Sequence, residues 1–205
     1  MITRWLPLYL RSRRVPLAVT TSLAVIATVV VLWAVSSNRS EVDPGLAALT
    51  LVLALAPLIP TLASNDDNLE RTAALPWPPR RVLHLIGVGG FVAVVVLGVR
   101  LAGADFGPPW QIIRNSAGLA GLIGLGVALL GTRLAWIAPI AWSAWQAMMT
   151  ATGGPGWQQS LLWLIQPEES VPAAVTAIVL LLGGVLAYAV RVSPPTAPNE
   201  VEMEQ

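Results

Sequence analysis

Apolar runs of roughly bilayer length, separated by short charged segments, set the pattern of this chain. Val15 to Ser36 carries no charge and is rich in Val, Ala and Leu; Gly45 to Ala63, Val82 to Val99, the Gly-rich Ser116 to Thr132 and Val171 to Val190 repeat the pattern. Arg133 and Glu168 bracket a further charge-free stretch that is too long for one helix. A helix crossing a bilayer needs about 20 mostly apolar residues. The runs therefore predict six spans, over about 15–36, 45–63, 82–101, 116–132, 134–150 and 171–190. Thr152-Gly-Gly-Pro-Gly156 ends the fifth, and Trp157 to Ile165 is too short to cross, which predicts an interfacial or re-entrant segment between spans five and six.

Composition agrees with this reading. Charged residues are 11% and hydrophobic residues 55%, against about 25% charged in an average soluble domain, and mean hydropathy is +0.69. Such a chain cannot cover a water-facing globule. The fold class expected is an all-α membrane protein, a single transmembrane domain over 1–192, with 193–205 a Pro-rich, acidic and disordered tail. A net charge of +1 gives no reason to expect nucleic acid.

Arginine sets the orientation, because short cytoplasmic loops are enriched in positive residues. With the N-terminus inside, the inner segments hold Arg4, Arg11, Arg13, Arg14, Arg71, Arg80, Arg81, Arg133 and Arg191, and the outer ones Arg39, Arg100 and Arg114. Nine against three places both termini in the cytoplasm. Met1 to Arg14 interleaves Trp5, Leu6, Leu8, Tyr9 and Leu10 with arginines. It reads as an amphipathic interfacial helix or a plain positive anchor. The first run lacks a small-x-small cleavage site, so it is expected to be a retained helix and not a signal peptide.

Candidate chemistry is sparse. The chain has no cysteine and one histidine, His84, at the cytoplasmic edge of the third span. Ser22, Ser116 and Ser143 lack the motif that would pair a serine with a histidine at depth. Asp66 and Asp67 could hold a divalent ion. No lysine is present, which excludes a phosphate-binding loop of the Gly-x-x-x-x-Gly-Lys-Ser/Thr kind. If ATP drives this protein, a separate subunit binds it.

The loop between spans two and three is the most informative segment. Asn65 or Asp66 can cap a short helix, Leu69 to Leu75 makes about two turns, Pro76, Pro78 and Pro79 stop it, and Arg80 and Arg81 lead into the next span. A capped helix across the cytoplasmic mouth of two spans suits a groove on a soluble partner. Glu70-Arg71 and Leu75-Pro76-Trp77-Pro78-Pro79-Arg80 resemble the first cytoplasmic loop of membrane subunits of type-2 ABC exporters, with a shorter gap between the halves. The resemblance implies that Glu70, Arg71, Leu75, Pro76 and Arg80 dock on an ATP-binding cassette subunit that holds ATP and magnesium. It also implies a second copy or related permease as dimer partner, an export direction, and a re-entrant element before the last span. The arginine-for-lysine bias looks bacterial, so the expected location is a bacterial cytoplasmic membrane.

Other features fit that frame. Pro57 and Pro60 should bend the second span near its cytoplasmic end and act as a hinge. Ala117-x-x-x-Gly121, Ala120-x-x-x-Gly124 and Gly87, Gly89 and Gly90 suit close helix packing, within one subunit or at a dimer face. With no arginine or carboxylate expected within the spans, the cargo expected is apolar or amphipathic: a lipid, a drug-like compound or a peptide. Trp136, Trp142, Trp145, Trp157 and Trp163 read as interface anchors. Two other classes remain open: a membrane scaffold or regulatory subunit, and a small lipid-modifying enzyme using Asp66, Asp67 and His84.

Overall fold

The computed structural model describes residues 15–37, 39–63, 77–149 and 152–190. The expected amphipathic N-terminal helix, the expected loop helix with Asp66, Asp67, Glu70, Arg71, Leu75 and Pro76, and the C-terminal tail fall on residues outside those described. Among those described, the regular structure is helical apart from one bridge between Glu41 and Asp105. In chain order the helices are α1 (Val15–Ser36), α2 (Pro44–Leu55), α3 (Trp77–Gly98), α4 (Pro109–Leu130), α5 (Ile137–Ala147), α6 (Gly156–Leu161) and α7 (Val171–Val190). The 3-10 helices η1 (Ala56–Leu62) and η2 (Val99–Ala102) extend α2 and α3.

Local chemistry explains the helix ends. Asp43 caps α2, its Oδ1 accepting from the N–H groups of Gly45 at 2.8 Å and Leu46 at 3.3 Å, with Pro44 in the first turn. The α2 ladder gives way to 3-10 geometry at Ala56, where Pro57 and Pro60 have no N–H to donate. Pro109 opens α4, and Gly103 at φ 90 ends η2.

Five helical stretches are long and apolar enough to cross a membrane: Val15–Ser36, Pro44–Leu62, Pro78–Ala102, Pro109–Leu130 and Val171–Val190. Leu17, Val35, Leu83, Val94 and Val190 stand more than half exposed on their outer faces. Apolar surface on that scale calls for lipid, and the bundle is that of a multi-pass membrane protein. At its centre is α4, 72% buried against 17% for α1. Leu119, Ile123 and Val127 of α4 join Leu51, Leu55, Leu58, Leu85, Val92 and Trp163 in the core.

The connection between α4 and α7 decides the topology. These two helices run parallel: Gly118 faces Ala177, Gly121 faces Leu180 and Gly184, and Arg114 reaches Pro167, just before α7. The chain must therefore return from the C-terminal end of α4 to its N-terminal end before α7 begins. Gly126 touches Ala135 and Gly45 touches Ala147, so residues 135–147 make that return against α4 and α2. The predicted fifth span over 134–150 is not a helix of span length. Turns follow Gly131, and only the 11 residues of α5 are α-helical. Pro139 accounts for the late start, since extending the helix upstream would require an N–H that proline lacks.

The described segments thus share two ends. At one, here called proximal, Thr61, His84 and Val15 line one cleft, and the Tyr188 hydroxyl donates to the Leu62 carbonyl at 2.8 Å. At the other, distal end are Glu41, Asp105 and the α5–α7 link. The start of α1 and the end of α7 lie together at the proximal end.

Candidate functional site

The proximal end gathers the described part of the sequence-predicted site. Ser22 Oγ donates to the Ala54 carbonyl at 2.7 Å and fixes α1 to α2 where the helix tightens. Pro57 and Pro60 lie in η1, and Thr61 follows directly. Thr61 Oγ1 donates to the Leu58 carbonyl at 2.6 Å and stands 3.0 Å from His84 Nε2. The hydroxyl proton can serve either the Leu58 carbonyl or Nε2, according to the histidine tautomer. This contact ties α3 to η1. Tyr188 adds α7 to the same junction through Leu62.

Arg81 is buried and Arg80 half-buried in the first turns of α3, at this same end. Two arginines thus stand beside the η1–α3–α7 junction, on a bundle end whose elements are tied by hydrogen bonds. A cleft of about 250 Å³ opens between α1, η1 and α3, lined by Val19, Leu58, Leu83, Val88 and Phe91 with Thr61 and His84 as its polar edge. That arrangement can transmit a displacement of η1 to α3 and α7. Glu70, Arg71, Leu75 and Pro76, the other half of the expected docking surface, lie outside the described residues.

The serines give no support to nucleophilic chemistry. Ser22 is committed to Ala54, while Ser116 Oγ and Ser143 Oγ are buried with no hydrogen-bond partner among the described residues. Among the described residues, no group of three or more His, Asp or Glu side chains could hold a metal ion.

The distal end holds a residue whose role the sequence did not announce. Arg114, read as an outer-loop charge, is buried in the second turn of α4, 3% exposed. Its Nη2 donates to the carbonyls of Trp163 at 2.9 Å and Gln166 at 2.8 Å, its Nη1 to Pro167 at 2.9 Å, and its Nε to Asn115 Oδ1 at 3.1 Å. Asn115 Nδ2 donates to the Leu164 carbonyl at 2.7 Å, and Gln146 Oε1 accepts from the Leu164 N–H at 3.0 Å. This cluster holds the α6–α7 link onto α4 and α5. The expectation that no arginine would be found within the spans is corrected here. A guanidinium can be accommodated because backbone carbonyls satisfy it.

Two further sequence readings change. Trp163 is not an interface anchor: it is 1% exposed, and a Cβ on Gly118 would meet its ring at 2.5 Å. Trp136, Trp142, Trp145 and Trp157 are exposed, the middle pair edge-to-face with centroids 6.3 Å apart. The small residues divide by role. Gly118, Gly121 and Gly124 pack inside the chain against Trp163 and α7, and Gly89 against Ala120, whereas Gly87 and Gly90 face open space.

Comparison with known proteins adds no neighbour. No family model matches the chain, and no characterised protein or solved structure is significantly similar to it.

Proposed function

We propose that this chain is the membrane subunit of an ABC-type exporter in a bacterial cytoplasmic membrane, working with a separate ATP-binding subunit and with a second permease, identical or related. The observation that carries the reading is the parallel packing of α4 and α7. In this reading the return through α5 is a sixth crossing, the start of α1 and the end of α7 face the cytoplasm, and α6 is a short interfacial element before the last span. That is the arrangement the loop resemblance implies. The proximal end is the cytoplasmic one in this reading, since Arg80, Arg81 and Arg133 belong to it.

In this scheme Glu70, Arg71, Leu75, Pro76 and Arg80 form the coupling surface, and ATP and magnesium stay in the partner. Closure of the partner pair pushes the coupling helix, η1 tilts at Pro57 and Pro60, and the junction of Thr61, His84, Leu62 and Tyr188 passes the movement to α3 and α7. The chain itself performs no hydrolysis. Cargo is apolar or amphipathic, such as a lipid, a drug-like compound or a peptide. Arg114 does not alter this, because carbonyls and Asn115 take its donors.

The test is to purify the chain from its native membrane under low salt and identify what accompanies it. A soluble ATP-binding subunit that is lost on Glu70→Ala or Leu75→Asp supports the proposal. A chain accompanied by a non-ATPase protein points to a scaffold, and a chain alone with metal at Asp66 and Asp67 points to an enzyme.

A further inference from the structure

At the distal end, the α1–α2 and α3–α4 connections are stitched together. The Val42 N–H donates to the Asp105 carbonyl, and the Asp105 N–H donates to the Ser40 carbonyl, both at 2.8 Å. Asp105 Oδ1 accepts from the Gly107 N–H at 3.0 Å, at a backbone φ of 113 that favours glycine. Between these connections lies a cleft of about 530 Å³, a volume typical of small-molecule sites. Phe106 and Pro108 give it an apolar wall, and Glu41, Arg100, Asp105 and Gln111 give it polar groups.

The charges in this cleft do not cancel. Arg100 Nη2 donates to Asp105 Oδ2 at 2.8 Å, and this ion pair neutralises both groups. Gln111 spends an Nε2 proton on the Gln166 carbonyl at 3.1 Å. The Glu41 side chain is exposed and makes no hydrogen bond or ion pair with any described residue. A pre-built cleft with one uncompensated carboxylate beside an apolar wall favours an organic cation, and an anion approaching Arg100 would have to overcome Glu41 and Asp105. The site also lies where α2 begins and where α3 and α4 are joined, which in a membrane is the level of lipid headgroups.

We propose that this cleft binds the ammonium group of an amine-bearing molecule at the distal membrane surface, with Glu41 as the counter-ion and Phe106 and Pro108 as the apolar wall. The ammonium can belong to a lipid headgroup or to a soluble amine. The proposal rests on the membrane placement of the bundle and not on the export reading.

Native mass spectrometry of the full chain, with phosphatidylethanolamine or phosphatidylglycerol added, tests it. Both lipids carry a phosphate diester, and only the first carries an ammonium. The expected result is retention of phosphatidylethanolamine over phosphatidylglycerol by about an order of magnitude, 1.4 kcal/mol, lost in Glu41→Gln and kept in Glu169→Gln. If soluble ethanolamine displaces the bound lipid, the cleft accepts free amines; if it does not, the headgroup on its lipid is the ligand. Glu41 pairs with Asp105 through the backbone, so Glu41→Gln should melt with the wild type, and that is checked in parallel. Equal retention of the two lipids, or a preference that survives Glu41→Gln, overturns the proposal.

Discussion

Gly121 of α4 and Gly184 of α7 bring two backbones into direct contact. A Cβ built on either residue would overlap main-chain atoms of the other helix. Backbone cannot rotate aside as a side chain can, so Gly184→Ala must part the two helices. Overpacking of this kind costs about 1–3 kcal/mol. Thermal unfolding in detergent should show the loss for Gly184→Ala and none for Gly183→Ala, whose added Cβ would meet only Leu125 at 4.0 Å. Equal melting of the two variants would refute the close parallel pairing on which the topology stands.

Arg114 holds together a segment far from it in sequence, so its removal should be felt there. Arg114→Met leaves the Trp163 carbonyl without its donor and takes one of two donors from the Gln166 and Pro167 carbonyls, which keep Gln111 Nε2 and the Ser170 N–H; a buried unsatisfied group costs about 1–3 kcal/mol. Arg114→Lys keeps the charge but lacks the planar fork and should fall between. Limited proteolysis should then cut within 152–170 in the Met variant before the wild type. Unchanged cleavage would mean that Gln111, Asn115, Gln146 and the packing of Trp163 hold the link without Arg114.

Arg114 also marks where the sequence stopped being legible. Apolar run length was enough to find α1 and α7, because span length and absence of charge are local properties. It failed at α4: the charge of Arg114 delayed the expected start to residue 116, whereas the helix begins at Pro109. Nothing near Arg114 in sequence says that carbonyls about fifty positions later will surround it. The fifth run failed for the opposite reason, since its composition is span-like but Gly131 and Pro139 leave only α5 helical. At the proximal end, Pro57 and Pro60 signalled a break, while the pairing of Thr61 with His84 and of Leu62 with Tyr188 depends on which helices become neighbours.

Tyr188 joins α7 to η1 through a single hydroxyl. Tyr188→Phe keeps the ring in its buried site and removes the bond to the Leu62 carbonyl. A hydrogen bond of this type is worth about 1 kcal/mol net. The expected result is a modest fall in melting temperature with a larger rise in amide exchange across η1 than across α4. Exchange that rises equally in both helices would show that the bond supports the bundle generally and does not fix η1.

Pro57 and Pro60 allow the sharpest test of the proposed movement. A 3-10 helix has about 3.0 residues per turn and rises about 2.0 Å per residue, against about 3.6 and 1.5 Å in an α-helix. Over the 7 residues of η1 the difference accumulates to about 140° of rotation and about 3.5 Å of length. Pro60→Ala restores an N–H that can bond the Ala56 carbonyl, so η1 can relax into the α-helix above it. Thr61 then turns away from His84, and Leu62 from Tyr188. The variant should stay folded, because it gains a backbone hydrogen bond as it loses side-chain ones, yet substrate-stimulated ATPase activity of the reconstituted complex should collapse. Pro57→Ala, which frees a donor one turn earlier, should act in the same direction and more weakly. Transport by Pro60→Ala at the wild-type rate would remove η1 from the coupling path and leave the contact between loop and partner to be explained in another way.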